Sequence, residues 1–446
     1  MRHVPLALAV LLMAATSRPA LAADPVVADP ATLDAEEIEL KVLIGERRDE
    51  MVRTLAAWVD INTGSWNGPG LDAFARLLAK PLEALGFQVE ILPGDEVDLP
   101  GRGRVATGPI VRARRKASPP DKQGMGNPLR VLLVGHFDTV FEPDSPFQRF
   151  AVDPDDSDRA TGPGVADMKS GLVVLLEALR GLHSLGDLDD AEWTVLFNSD
   201  EEIGSLGSRG VIEAEARRAD VGFVFESAHD GGMVRSRRGL GQFHLSVEGV
   251  AAHAGSAHDQ GRSAIHEIAA KILRIEALTD YDRGLTLNVG TVRGGTKRNI
   301  VPEHAEAWID VRYDAPELGR EVREALEAVA REDVVDGTRT TLWGQLHRPP
   351  KQPTPQVDAL LERHERVAAA LGIRLPDPRH AGGGTDGSLM GAVGLTTLDS
   401  MGAVGGGAHT SREHLDLSSM PSRAVLAAVL LRRLARERLY GPGSGR

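Results

Sequence analysis

The side chains best able to do chemistry in this sequence are a scattered set of acids and histidines, and most of them follow short apolar runs. Residues 131–134 lead into Gly135-His136-Phe137-Asp138. If a strand continues that far, its period of two puts His136 and Asp138 on one face. A carboxylate there can set the imidazole tautomer for metal binding, although H-x-D alone fits a structural pair equally well. Residues 193–197 lead into Asn198-Ser199-Asp200-Glu201-Glu202. Adjacent acids point different ways, so Glu202 can coordinate a metal while Glu201 faces substrate as a proton carrier; a solvated acidic turn is the alternative. Glu226 follows residues 221–225, where burial would be costly without a cation, unless it is a surface glutamate. Asp167 lies in the glycine-bracketed turn GPGVADMKSG, as a ligand or as a helix N-cap. His409, in GGGAHT, is a ligand or a solvated loop histidine. Together these residues offer enough nitrogen and oxygen donors for two zinc ions sharing a carboxylate. Such a pair activates a water and polarises a carbonyl.

These donors need a scaffold that brings them to one place. The apolar runs 131–134, 193–197 and 221–225, with a helical segment at 171–185, predict an α/β unit with a mostly parallel sheet flanked by helices on both faces. Ligands of such sheets sit beyond the carboxyl ends of the strands. Residues 33–85 read as two helices, carried by LAAWVDI and LDAFARLLAKPLEAL. Residues 101–127, rich in Gly, Pro, Arg and Lys and without period, read as a surface excursion. The basic residues between Arg112 and Lys122 would there be solvated or would touch substrate. From 239 the rhythm changes to a strand at 241–247, a helix at 263–278, strands at 285–292 and 305–313, a helix at 317–331 and a strand at 338–343. That βαββαβ order predicts a ferredoxin-like unit of one sheet and two helices, inserted into the first, whose pattern resumes near 353. The expected division is 1–22, 23–238, 239–348 and 349–446, with the last six residues as a tail.

Residues 1–22 have a basic start, an apolar run and Ala20-Leu21-Ala22, as a removable secretion peptide does. The expectation is export to the periplasm or medium, with no stable membrane insertion after cleavage, because the run is shorter than the ~20 residues of a span. Losing Arg2 and Arg18 takes the formal charge from −13 to −15. So acidic a chain repels phosphate backbones, which argues against nucleic acid as a partner. With Cys 0, neither disulfides nor thiolate ligands are available, and any metal must be held by His, Asp and Glu.

The stretches GHFDTV, GPGVADMKSG, NSDEEIGSLGSR, FESA, AAHAG, RNIVP with IDVRYD, GGGTDGS and GGGAHTSREHLD resemble, in order, those of the M20-type zinc metallopeptidases. That family includes glutamate carboxypeptidase, aminoacylase-type deacylases and succinyl-diaminopimelate desuccinylase. The resemblance implies a zinc exopeptidase-like catalytic domain with an inserted lid and dimerisation domain. It implies two zinc ions per subunit, with cobalt or manganese as substitutes. His136, Asp167 and Glu226 would bind one ion, and Asp167, Glu202 and His409 the other. Glu201 would be the general base acting on a metal-bridging water, and Asp138 would orient His136. His253, in AAHAG, matches a lid histidine that reaches the partner subunit's site in a homodimer and stabilises the oxyanion; a turn histidine within one subunit is the alternative. Asn299 and Arg312 match residues holding the substrate carboxylate, with a backbone contact from Gly384. Arg312 could instead pair with Asp310 or Asp314. The implied activity is hydrolysis of peptides or N-acyl amino acids bearing a free carboxylate on the leaving amino acid. The alternatives are a dipeptidase, a small-molecule deacylase, or an exported binding protein that retains the fold. The lid entrance MVRSRRGLGQ departs from the family in lacking a recognisable substrate-reading lysine; Arg235, Arg237 and Arg238 would serve an acidic side chain or form a solvated turn.

Overall fold

A computed structural model describes residues 32–99, 103–118 and 126–440. The expected secretion peptide, part of the excursion and the C-terminal tail lie outside the described residues. The apolar runs form strands Leu129–His136, Ala191–Asn198 and Val221–Val224, with the helix Ser170–Ser184 between the first two. They are the centre of a six-stranded sheet ordered Gln88–Leu92, Ile110–Arg115, Ala191–Asn198, Leu129–His136, Val221–Val224, Thr396–Leu398. The pairings from Ala191–Asn198 through Thr396–Leu398 are parallel, and the other two are antiparallel. Both faces are covered, because alternate residues of the central strand enter different cores. Val131 and Leu133 meet a large core shared with Ser170–Ser184 and Ser419–Tyr440, while Leu132 and Val134 meet a smaller one that includes Ile212 and Met390.

Two expectations are corrected here. Residues 33–85 form three helices, Ala35–Gly45, Arg48–Val59 and Gly68–Ala84, not two. The break falls where Arg47 leaves the helical line and donates to Glu177 at 2.5 Å. The excursion is not a loop throughout: Ile110–Arg115 is an interior strand of the sheet, bonded on both sides. Its arginines hid it: Arg112 and Arg114 alternate with the buried Val111 and Ala113, and these two and Arg115 are neutralised by ion pairs. Arg112 and Arg114 reach Glu215, and Arg115 reaches Asp189, so none of the three is a solvated loop cation.

The inserted segment forms strands Gly239–Glu248, Leu285–Gly294, His304–Tyr313 and Arg339–Arg348 with helices Ala264–Glu276 and Pro316–Arg331, in the expected βαββαβ order. All of its long pairings are antiparallel. Alternate residues such as Phe243, Leu245 and Val247 face the two helices and share a separate core with Ile268 and Val322. Where the segment leaves and rejoins the larger unit, Arg237 and Lys351 exchange backbone hydrogen bonds of 3.1 and 3.0 Å.

His364, in the helix Pro355–Leu371, is fully buried, and neither ring nitrogen has a hydrogen-bond partner among the described residues. Burial, with Arg423 adding repulsion, pushes its pKa down to about 3. Its unfolded-state value is about 6.5, so between those values the unfolded chain binds the extra proton and the folded chain does not. Stability therefore falls as pH drops below about 6.5, by up to about 1.4 kcal/mol per pH unit from this group. His364→Leu should remove that component. In urea titrations, the stability of the variant relative to the parent should rise by about 2 kcal/mol between pH 7 and pH 5; an unchanged difference would refute the assignment.

Candidate metal centre

Parallel register sets the site. His136 lies opposite Asn198 and Val134 opposite Val224, so residues just past these strand ends emerge along one sheet edge. His136 is the last residue of its strand and is buried. Asp138 is beyond the strand, in a loop, and not on the continued strand that the sequence allowed. His136 Nδ1 lies 3.1 Å from the Asp138 carbonyl oxygen and 3.3 Å from its carboxylate. That carboxylate also accepts from the backbone N–H groups of Glu201 and Glu202, both at 3.1 Å, and from the Ser65 hydroxyl at 2.8 Å. Asp138 thus ties the acidic turn to the histidine strand.

Asp167 is not a helix cap, since the following helix starts at Ser170. Its turn uses Gly164 at φ 72°, where a Cβ would come within 2.7 Å of Thr139. The buried Glu413 accepts from the N–H groups of Gly164, Ala166 and Asp167 at 3.1, 2.8 and 2.9 Å. The loop that carries His409 therefore also clamps the turn that carries Asp167. Neither Ser65 nor Glu413 was picked out from the sequence, although Glu413 lies inside the GGGAHTSREHLD stretch.

The donor atoms meet in the middle. His136 Nε2 is 3.1 Å from Asp167 Oδ1 and 3.4 Å from Glu226 Oε1. His409 Nε2 is 3.4 Å from Asp167 Oδ2 and 3.0 Å from Glu202 Oε2. The two oxygens of Asp167 thus face different histidines. His136 also belongs to two three-residue groups with metal-ligand spacing, one with Glu201 and Glu226 and the other with Asp167 and Glu202. Atoms bound to one tetrahedral ion at ~2.0–2.2 Å stand ~3.3–3.6 Å apart, close to these separations. His409 is the open side of the cluster, held at φ 62° with its side chain 57% exposed.

Electrostatics asks for a cation. Burial raises Glu202 to about 7, with the charge of Asp167 adding to it, and raises Glu226 in the same way. Burial opposes charge on His136, but Glu226, Asp138 and Asp167 outweigh it and lift its pKa well above the ordinary value. Hydrogen bonds to Asp167 and Glu202 raise His409 to about 11. Protons on the imidazoles are balancing crowded carboxylates, and a divalent ion would replace them. The donors are imidazole nitrogen and carboxylate oxygen, a set suited to zinc, cobalt or manganese.

The profile of Peptidase family M20/M25/M40 matches residues 132–433, which include every donor named above. The chain belongs to this family. Carboxypeptidase G2 of Pseudomonas sp. (strain RS-16) is 29% identical over 405 residues, covering 86% of this chain and 89% of that protein. Among solved structures, the M20 metallo-carboxypeptidase Sso-CP2 from Sulfolobus solfataricus aligns with TM-score 0.66 at 19% identity, over 86% of this chain and 99% of that one. Human carnosine dipeptidase 1 aligns with TM-score 0.66 at 15% identity, over 90% and 99%. Those two likenesses show the fold alone. As an M20 metallopeptidase the chain is an enzyme, so the reading as a binding protein is set aside.

The other residues expected from the resemblance lie elsewhere. His253 and Asn299 are exposed on the inserted unit. Arg312 pairs with Asp310 through Nε at 2.7 Å and Nη2 at 3.0 Å, and Nη1 donates to the Gly382 carbonyl at 3.2 Å. Gly384 is close-packed, with a Cβ there falling 2.6 Å from Leu240. Each of the lid-entrance arginines is ion-paired, Arg237 in the interior and Arg235 at the exposed surface. Arg235 pairs with Asp358, Arg237 with Asp399 and Arg238 with Asp314.

Proposed function

We propose that this chain is a two-zinc hydrolase that cleaves the amide bond of peptides or N-acyl amino acids whose leaving residue carries a free carboxylate. The observation that carries the reading is Asp167, with one oxygen toward His136 and the other toward His409, while Glu201 lies close to the same His136. His136, Asp167 and Glu226 would hold one ion and Asp167, Glu202 and His409 the other. When bound, the ions would polarise the scissile carbonyl and acidify the attacking water. Glu201 takes the proton of that water and later passes it to the leaving amine. Burial raises its carboxyl well above the ordinary range, against the pull of Arg348, which suits a group that must both accept and return a proton.

His253 is built as a donor. Its Nδ1 accepts from the N–H groups of Gly255 and Ser256 at 3.1 and 3.2 Å, so the neutral ring carries its proton on Nε2. A developing oxyanion needs such a donor, and a partner's lid would supply it in a homodimer. The edge strand Leu285–Gly294, with Val292 57% exposed, and the nearby helix with Leu273 73% exposed support that assembly. Light scattering should therefore find a dimer, and an active monomer would contradict it. Asn299, Arg312 and the backbone at Gly384 would receive the leaving carboxylate, with Asp310 orienting the Arg312 fork.

The test is one preparation assayed for metal content and for hydrolysis of acyl-glutamate, acyl-aspartate, acyl-neutral and dipeptide substrates. Capping the leaving carboxylate as an amide should cost about 10- to 100-fold in kcat/KM, the worth of a charge-assisted hydrogen bond. Equal rates for capped and free substrates would end the proposal. Free-amine dipeptides as the best substrates would favour the dipeptidase alternative. Export is part of the same reading, and a mature N-terminus at Ala23 would support it.

A further inference from the structure

Glu201 is held by a residue that belongs to the inserted lid segment. Arg348 ends the last lid strand, Arg339–Arg348, and is 1% exposed. Its Nη2 donates to Glu201 Oε1 at 2.7 Å, to the Glu201 carbonyl at 3.1 Å and to Ser205 Oγ at 2.8 Å. Its Nη1 donates to Asp386 Oδ1 at 2.8 Å, and the Ser205 hydroxyl donates to the same oxygen at 2.5 Å. The backbone is pinned as well, since Tyr313 Oη donates to the Arg348 carbonyl at 3.0 Å.

We infer that Arg348 is the positioning residue for Glu201, fixing the direction of its carboxylate at the metal cluster, and does not contact substrate. The inference rests on Glu201 being the proton carrier. A glutamate has several rotatable bonds and would otherwise spread over many positions, whereas a planar guanidinium locked by Asp386 and Ser205 offers it one. Both terminal nitrogens are engaged by protein oxygens and the side chain is out of solvent, which places the fork behind Glu201 as its support. Loss of the contact should act on chemistry rather than binding, because misplacing a reacting group by about 1 Å costs about 10²-fold. The lid strand thus supplies part of the active centre of its own chain.

The experiment compares Arg348→Met, Arg348→Met with Asp386→Asn, and Arg348→Lys, reading kcat, KM, bound metal per chain and a crystal structure. The double variant removes both buried charges and guards against misfolding from an orphaned Asp386. Arg348→Lys keeps the charge, so it tests the idea even where the Met variants do not accumulate. Expected for the Met variants are a kcat loss of about 10²-fold, KM within about 3-fold, unchanged metal and a displaced Glu201 carboxylate. Arg348→Lys should recover about 10-fold of that loss, as one ammonium reaches Glu201 but cannot also span to Asp386. Combined with Glu201→Asp, Arg348→Met should add little further loss. A raised KM with kcat retained, a loss of metal, or losses that simply multiply would each overturn the inference. Full turnover in Glu201→Gln alone would instead overturn the reading of Glu201 on which it rests.

Discussion

Glu201→Gln is expected to lower kcat by about 10³- to 10⁴-fold while leaving bound metal and thermal stability near those of the parent. Glutamine has the shape of glutamate, and its carbonyl oxygen can still accept from Arg348, which donates to Oε1 at 2.7 Å in the parent. What it loses is the ability to take a proton. The competing outcome is concrete, because Glu201 also stands within metal-ligand reach of His136 and Glu226. If Glu201 were itself a ligand, the variant would lose metal together with activity. Parallel metal analysis and single-turnover kinetics separate the two, and metal loss would move Glu201 from proton carrier to ligand.

Asp167→Asn is expected to reduce bound metal to one ion or fewer per chain and to lower kcat/KM by about 10³-fold or more. The residue faces His136 at 3.1 Å and His409 at 3.4 Å through different oxygens, so one substitution weakens both halves of the cluster. Stability provides a second reading. An ion that binds only the folded chain stabilises it by about 2.7 kcal/mol at a hundredfold excess over its Kd. A chelator should therefore lower the melting temperature of the parent by more than that of Asp167→Asn. Full metal content in the variant, or a chelator effect equal to that in the parent, would refute the bridging role.

The corrections share a cause. The strand Ile110–Arg115 reads as a loop because three of its six residues are arginines, yet Glu90, Glu215 and Asp189 neutralise them across the fold. The lid-entrance arginines read as free cations, and their carboxylate partners Asp358, Asp399 and Asp314 likewise come from distant parts of the chain. Glu413 gives no sequence signal for the same reason, since it holds backbone N–H groups about 250 residues earlier, from Gly164 to Asp167.

Sequence alone determined the alternation of apolar strands and helices, the βαββαβ insertion, and the metal-binding residue types beyond the strand ends. These are local properties: side-chain period follows from backbone geometry, and parallel strands necessarily bring their carboxyl ends to one edge. Tertiary structure alone decided that Asp167 presents its two oxygens to different histidines, that Asp138 ties Glu201 and Glu202 to the His136 strand, and that Arg348 grips a glutamate 147 positions away. Such contacts depend on distances of about 3 Å between segments far apart in the chain, and hydrogen bonds and ion pairs leave no periodic trace in the residues that make them.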